Sequence, residues 1–158
     1  MILINSREDS TPLGPFDFAA LAFWILGFAV EFSADTQKFV FRSDPNNREK
    51  FITTGIWAYS RHPNYFGEIL MWAALALSTS FTRDIKGHAN PFFAWLSPVF
   101  TAFLLLFVSG VTMVEHAGNE KWGHLPEYQH YMKNTSCLIP WFPAKAEIDD
   151  DYERAKEQ

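Results

Sequence analysis

Residues 91–114 contain no charged side chain. A helix needs about 20 consecutive apolar residues to cross the hydrocarbon core of a bilayer, so this stretch predicts a transmembrane helix. Two shorter apolar runs, residues 16–34 and 63–81, contain only isolated acids. These acids are Asp17, Glu31 and Glu68. We therefore expect an all-α fold, an integral membrane helical bundle with about three transmembrane helices and short interfacial helices.

The main alternative is a soluble bundle in which the same three runs are buried helices. Tryptophan and tyrosine flank the runs, as they do at membrane interfaces, and this favours the membrane. The basic residues are concentrated in the first connection, which predicts that this connection and the C-terminal tail face the cytosol. The first connection carries Lys38, Arg42, Arg48, Lys50 and Arg61, the second carries Arg83 and Lys86, and the lead-in carries Arg7.

Composition excludes several other classes of protein. The formal net charge is -5 and no basic stripe is present, so we expect no nucleic-acid partner. Cys137 is the single cysteine, which excludes an intrachain disulfide, and the histidines lack ligand spacing, so we expect no metal. No secretory signal pattern is present. We expect a polar lead-in over residues 1–15, a membrane-embedded domain over residues 16–143 and a disordered acidic tail over residues 144–158.

Four charged residues of the first run follow one helical face, because their spacings are four, three and four. They are Glu31, Asp35, Lys38 and Arg42. One interpretation is a solvated stripe of ion pairs. The other is a ligand site, since Glu31 lies within an apolar run, where an ionisable group usually faces protein or a water-filled cavity. Carboxylates there suit hydroxyl or amide donors, and Arg42 suits a phosphate.

The motif "RHPNYFGE", residues 61–68, stands at the start of the second apolar run. Pro63 fits the first position of a helix, where its missing N–H costs nothing. His62 then occupies the cap, and Arg61 adds a donor to the free N–H groups of the helix start, which favour anions. Asn64 and Glu68 share one face, and Tyr65 lies in the first turn. The alternative is a plain helix start with an interfacial tyrosine.

Polar and aromatic residues follow the third run. We expect Glu115 and His116 to end the third helix on the same side as the motif. We assign Trp122, Tyr128 and Tyr131 to packing at the membrane interface, and "LIPWFP", residues 138–143, to an interfacial anchor. No serine or cysteine nucleophile constellation is apparent, so the catalytic residues are left unassigned.

Two segments of the chain resemble the C-terminal part of the steroid 5-alpha-reductase family, in its uncharacterised membrane-reductase branch. They are "ADTQKFVFRSDPNNREKFITTGIWAYSRHPNYFGEILMW", residues 34–72, and "EKWGHLPEYQHYMKNTSCLIPWFP", residues 120–143. The family consists of polytopic membrane proteins that use NADPH to reduce a carbon–carbon double bond conjugated to a carbonyl. Its substrates are steroids or related lipids. The first segment is the more specific of the two.

The resemblance implies a set of cofactor-binding residues. It places Asp35, Arg42, Asn64 and Glu68 at positions where the family binds the dinucleotide, with Glu31, Arg61, His62 and Tyr65 lining the same site. It also implies an oxidoreductase that acts on CH–CH groups with NADPH. The expected partners are the membrane and a lipid or steroid-like substrate. The expected location is the endoplasmic reticulum in a eukaryote or the inner membrane in a bacterium.

The chain departs from the family in one respect. Family members have further helices before this region, and those helices contribute the substrate cavity. Only about fifteen polar residues precede the first helix here, so the chain resembles the cofactor half. One alternative is a membrane methyltransferase of the isoprenylcysteine or phospholipid type, which shares the "RHP-x-Y-x-G" pattern and uses S-adenosylmethionine. Another is an inactive membrane fragment. The strip from Asp35 to Arg42 and "DPNNREKF" favour the reductase.

Overall fold

The structure is a computed structural model that describes residues 13–80 and 91–142. All regular structure in these two ranges is helical. The α-helices are α1 (Pro15–Ser43), α2 (Pro63–Ser80), α3 (Leu96–Phe103), α4 (Val111–Trp122) and α5 (Pro126–Asn134). The all-α prediction is therefore confirmed. Most of the predicted lead-in, the predicted polar connection at residues 82–90 and the predicted acidic tail lie outside the described residues.

The first helix is longer than the apolar run that predicts it. α1 begins at Pro15, and the Asp17 carboxylate accepts a hydrogen bond of 2.9 Å from the backbone N–H of Gly14. It continues without interruption through the charged strip to Ser43. It ends there because Pro45 disfavours helix at the preceding residue, and a 3-10 turn follows at Pro45–Asn47.

Two glycines determine how closely α1 and α2 cross. A Cβ atom added to Gly67 would lie 2.6 Å from the carbonyl oxygen of Gly27, and one added to Gly27 would lie 2.8 Å from that of Gly67. Only glycine fits at either position, because backbone atoms cannot rotate away. α2 begins at Pro63, as the motif predicts. The crossing therefore places the first turns of α2 against the middle of α1, beside Glu31.

The third apolar segment is not one regular helix. It comprises a 3-10 turn at Pro91–Trp95, then α3, a π-helical turn at Leu104–Val108, and α4. The irregularity thus lies in the π-helical turn, while Pro98 is in the first turn of α3, where its missing N–H is tolerated. The prediction that Glu115 and His116 end this helix is wrong, since α4 continues to Trp122. Glu115 is therefore an interior residue of α4.

Two segments are long and apolar enough to cross a membrane, Pro15–Ser43 and Phe92–Trp122. Only 11% and 6% of the residues in their most apolar windows are buried, whereas the helices of a soluble bundle would be mostly buried. This low burial favours a helical membrane protein over the soluble alternative. The third predicted span corresponds to α2. This helix is less apolar than the most apolar windows of the other two segments, because its first turns contain Asn64 and Glu68.

Contacts at the helix ends define three antiparallel passes. At one end, Ser78 donates to Asp17 (3.2 Å) and the Trp95 indole donates to Ser80 (2.8 Å). At the other end, the Trp122 indole donates to the backbone oxygen of Glu49 (2.8 Å). The loop of residues 44–62 and the end of α4 therefore lie together. This arrangement agrees with the predicted common side of the first connection and the C-terminal segment.

We expect cysteines introduced at Asn47 and at Ala144 to be labelled from the same side of a sealed membrane. The structural reason is the hydrogen bond between Trp122 and the loop that contains Asn47. The measurement is labelling with a membrane-impermeant maleimide in right-side-out and inverted vesicles, with Cys137→Ser as the parent protein. Labelling from opposite sides would rule out the three-pass arrangement.

Candidate functional site

A cavity of about 100 Å³ lies where the loop of residues 44–62 meets α4 and α5. Four basic side chains line it: Lys38 and Arg42 from α1, and Lys50 and Arg61 from the loop. Glu115 is the one acidic residue among the described residues that line this cavity. Four cations with one carboxylate create a strongly positive potential, so the cavity is suited to an anion that carries more than one charge.

Aromatic rings form the rest of the cavity wall. They are Phe41, Phe51, Trp57, Trp122, Tyr128 and Tyr131. The ring of Phe51 is central to this group, with centroids 5.0 Å from Tyr128 and 5.8 Å from both Trp122 and Tyr131. The sequence analysis assigned the last three to the membrane interface, and the structure places them in the cavity wall. Flat apolar surfaces beside cations are suited to a ligand with both phosphates and aromatic rings.

Buried hydrogen bonds fix Trp57 between α1 and α5. Its indole N–H donates to the backbone oxygen of Ala34 (3.0 Å), and its own backbone oxygen accepts from the Tyr131 hydroxyl (2.8 Å). The side-chain ammonium of Lys38 lies 4.9 Å from the centre of the Trp57 ring, at cation–π distance. Trp57 therefore links three elements and orients one of the four cations.

The segment after α5 is paired with the loop that precedes α2. The backbone N–H of Arg61 donates to the oxygen of Ser136 (2.8 Å), and the N–H of Trp141 donates to the oxygen of Tyr59 (2.9 Å). This pairing fixes the backbone at the start of the "RHPNYFGE" motif. The sequence does not predict it, since the partners are more than seventy residues apart. The assignment of this segment to an interfacial anchor stays a prediction.

Glu115 holds the two residues that open the motif. One of its carboxylate oxygens lies 3.0 Å from Nε2 of His62 and 3.4 Å from Nη1 of Arg61. The three side chains are only 22%, 5% and 15% exposed, in the order Glu115, His62, Arg61. Burial lowers the pKa of His62, although the hydrogen bond to Glu115 acts in the opposite direction. His62 is therefore a neutral imidazole at pH 7.

Cys137 lies beside this group. Its sulfur and the ligand atoms of His62 and Glu115 are within 4.8 Å of one another, a spacing that resembles a metal site. One observation argues against a metal ion. The guanidinium of Arg61 already contacts the carboxylate oxygen of Glu115 that a metal ion would need. The prediction of no metal stays a prediction.

A second polar region lies at the crossing of α1 and α2. Glu31 interacts electrostatically with both Glu68 and Asp35, and the same two carboxylates act on Tyr65. One oxygen of Glu31 is buried and has no hydrogen-bond partner among the described residues. The backbone and Cβ of Glu31 lie against Gly67, so this part of the residue is packed at the helix crossing. A buried acceptor without a donor is costly, so a ligand hydroxyl or amide fits this position.

The strip on α1 is not a stripe of ion pairs. Among Glu31, Asp35, Lys38 and Arg42, the described residues contain no salt bridge. Instead, Glu31 and Asp35 line one groove on α1, and Asp35, Lys38 and Arg42 line the next. Lys38 and Arg42 also line the cavity and Asp35 lines both grooves, so the cavity and the two grooves share residues along α1.

The structure thus groups the predicted site residues in two places. Arg42, Arg61 and His62 line the cavity. The other predicted residues with described interactions form the carboxylate region, namely Glu31, Asp35, Tyr65 and Glu68. Asn64 lies in the first turn of α2. In the sequence it stands between His62 of the cavity and Tyr65 of the carboxylate region. The cofactor-binding set implied by the resemblance did not include Lys38, Lys50 or Glu115, although Lys38 belongs to the charged strip that the sequence analysis considered as a ligand site.

These two regions match the chemistry of a dinucleotide phosphate. The cavity offers several cations for phosphates and flat rings for an aromatic base. The nitrogen Nε of Arg61 is buried without a partner among the described residues, so one donor is available. The carboxylates along α1 accept from hydroxyl and amide groups. The types of residue present in the cavity and along α1 are therefore chemically compatible with NADPH.

The sequence profile described as "Protein of unknown function (DUF1295)" matches residues 1–135. The chain belongs to this family. Among curated proteins, the chain is 27% identical over 150 aligned positions to the Delta(14)-sterol reductase of Gallus gallus, an alignment that covers 73% of this chain. It is 35% identical over 85 positions, 48% of this chain, to the Delta(14)-sterol reductase of Saccharomyces cerevisiae.

A third relative has a different name. The chain is 26% identical over 118 positions, 75% of its length, to 3-oxo-5-alpha-steroid 4-dehydrogenase 1 of Macaca fascicularis. The alignments span 22%, 19% and 38% of these relatives, in the order given. The chain therefore corresponds to less than half of each. The expected relation to steroid-reducing enzymes is supported at low identity, while the assignment to one branch of that family stays a prediction.

The buried imidazole of His62 makes stability depend on pH. Its pKa is lowered from 6.5 in the folded protein, so the unfolded chain binds the proton first as pH falls. The stability that this group contributes is present above its unfolded pKa and is lost on acidification. We expect the unfolding temperature to decrease when the pH is lowered from about 7.5 to about 5.5. The decrease should be smaller in His62→Gln. His116→Gln is the control, because His116 is 74% exposed.

Proposed function

We propose that this chain binds NADPH and forms the cofactor-binding part of a membrane reductase. The reaction is reduction of a carbon–carbon double bond conjugated to a carbonyl in a steroid or a related lipid. The observation that carries the proposal is the cavity in which four basic side chains meet a wall of aromatic rings, next to a strip of carboxylates on α1. Few ligands other than a dinucleotide phosphate need all three.

The basic side chains would hold the phosphates. Arg42 and Lys50 are exposed, while Arg61 and Lys38 are partly buried. Arginine offers two parallel donors to a phosphate, and lysine acts as a point charge. The exposed pair would attract the ligand and the inner pair would fix it. Because the ligand is highly charged, we expect this part of the site to supply much of the affinity.

The carboxylate region would hold the uncharged polar groups. Glu31 and Asp35 accept from hydroxyl or amide donors along α1, and Asn64 and Glu68 are one turn apart on α2, so both reach the same ligand. When bound, NADPH supplies a hydride, and the protein supplies orientation and electrostatics. The close crossing of α1 and α2 at Gly27 and Gly67 lies beside this region.

The substrate class rests on the relatives. Two are named as sterol reductases and one as a steroid dehydrogenase, and all are matched over part of their length. The substrate cavity and the groups that protonate the double bond would correspond to parts of these relatives that the alignments do not cover. The proposed location is the endoplasmic reticulum in a eukaryote or the inner membrane in a bacterium, with the cavity on the side that carries the basic loop.

Binding by the purified protein in detergent tests the proposal. Isothermal titration with NADPH and with S-adenosylmethionine should give a saturable heat for NADPH alone. A phosphate-rich ligand is favoured because the cavity has four cations for one carboxylate. Binding of S-adenosylmethionine without NADPH would assign the chain to the methyltransferases, and binding of neither would favour an inactive fragment.

Glu68→Gln and Asn64→Ala should each weaken NADPH binding about tenfold, since one good polar contact to a ligand contributes about 1–3 kcal/mol. Dissociation constants from the same titration provide the measurement. Glu120→Gln is the matched control, because its side chain is 72% exposed and does not line the cavity. Unchanged affinity in a folded Glu68→Gln protein would mean that the motif is a helix start and not a binding site.

A further inference from the structure

Glu115 is the one carboxylate of the cavity, and its position is unusual for a site that attracts anions. A negative charge there repels the phosphates of a ligand. Yet Glu115 lies on α4, more than fifty residues from the motif, and one of its oxygens contacts both Arg61 (3.4 Å) and His62 (3.0 Å). A site without this carboxylate would attract an anionic ligand more strongly. The presence of Glu115 therefore calls for a structural explanation.

We infer that Glu115 is a positioning residue, which holds the guanidinium of Arg61 and the imidazole of His62 at fixed places in the cavity wall. The expected effect of Glu115 on binding rests on the proposed NADPH function. The contacts of Glu115 with Arg61 and His62 do not depend on that function. The same nitrogen of Arg61, Nη1, also contacts the sulfur of Met132 (3.3 Å), so it has two partners in the cavity wall.

The contact with Glu115 selects one form of the imidazole. A carboxylate only accepts hydrogen bonds, so Nε2 of His62 carries the proton. Nδ1 is then the acceptor, and it is the ring nitrogen left for a ligand donor. The Tyr65 ring stacks on the imidazole at 5.2 Å and restricts its rotation. The charged groups that act on His62 are Glu115 from α4, Arg61 from the loop and Lys38 from α1.

The first test needs no ligand. Nitrogen-15 NMR of the histidine rings in the full-length protein in detergent should show His62 as the Nε2–H form. Glu115→Gln should lower the pKa of His62 further, because the carboxylate is the group that raises it. Glu120→Gln, five residues along α4, should leave the His62 resonances unchanged. If Glu115→Gln changes neither the resonances nor the pKa, the inference is wrong, whatever ligand the protein binds.

The second test separates positioning from a direct effect of the charge on the ligand. Glu115→Gln should weaken NADPH binding about fivefold in the otherwise unchanged protein. In a protein that already carries Arg61→Gln and His62→Gln, the same change should have less than about a twofold effect, because nothing remains to be positioned. An equal effect in both proteins, or tighter binding in Glu115→Gln, would overturn the inference.

The two tests also distinguish this inference from the proposed function. If the ring resonances respond to Glu115→Gln but NADPH does not bind the wild-type protein, the proposed function fails and the positioning role stands. Glu115→Asp provides a second variant in case Glu115→Gln does not fold. It keeps the charge but shortens the side chain by one methylene, so it too should lower the pKa of His62, and an unchanged pKa would count against the inference.

Discussion

Replacement of Gly67 by leucine is expected to destabilise the fold strongly, because it forces apart the two helices that carry the candidate site. A side chain at this position meets the carbonyl oxygen of Gly27 at 2.6 Å and the backbone and Cβ of Glu31 at 2.8 Å. Overpacking costs about 1–3 kcal/mol where side chains can move, and more where the obstacle is backbone. The two helices must separate, which displaces Glu31 from Glu68. We expect a lower unfolding temperature and loss of NADPH binding.

A graded pair of variants makes this expectation specific. Gly67→Ala and Gly14→Ala introduce the same methyl group, but the nearest atom at Gly14 is a side-chain oxygen 3.8 Å away. Alanine gains about 1 kcal/mol of helix propensity over glycine, so any destabilisation of Gly67→Ala occurs despite that gain. Equal unfolding temperatures for the two alanine variants would show that the helices do not cross as described.

Arg42→Ala should reduce NADPH affinity by about tenfold to a hundredfold at low ionic strength, since a charge-assisted contact to a phosphate contributes about 1.5–3 kcal/mol. Arg42, like Lys38, lines both the cavity and a groove on α1, so its loss affects both parts of the site. Because its side chain is exposed, salt should screen much of its contribution, and the effect should shrink at high ionic strength.

Lys133→Ala is the control for this measurement, because Lys133 is exposed on α5 and does not line the cavity. Titration at about 20 mM and about 500 mM salt compares the two variants, over which the screening length falls several-fold. A loss of affinity in Arg42→Ala that is the same at both salt concentrations would mean that Arg42 acts through packing and not through its charge.

The elements that depend on local chemistry could be predicted from the sequence. Pro63 defines the start of α2 and Pro45 the end of α1, because proline restricts the residues around it. The common face of Glu31, Asp35, Lys38 and Arg42 follows from helical periodicity. Long runs without charge predict membrane helices for the same reason, since the cost of a charge in lipid is a property of the residue itself.

The cavity could not be predicted in this way. Its aromatic wall depends on contacts between residues of the loop and of α5, such as Phe51 with Tyr128, which are far apart in sequence. The end of α4 was misplaced because a polar pair, Glu115 and His116, looks like a helix end when the contacts with Arg61 and His62 are unknown. Charge alone does not distinguish a solvated terminus from an ion pair across the fold.

The pairing of the segment after α5 with the loop before α2 has a consequence for biosynthesis. A nascent chain can insert α1, α2 and the third apolar segment into the membrane before residues 126–142 have left the ribosome. Until then the Arg61 N–H lacks Ser136, Trp57 lacks Tyr131, and the cavity lacks one wall. The cavity is thus completed only after the apolar segments have been made, and a chain that stops before α5 lacks the wall that Tyr128 and Tyr131 supply.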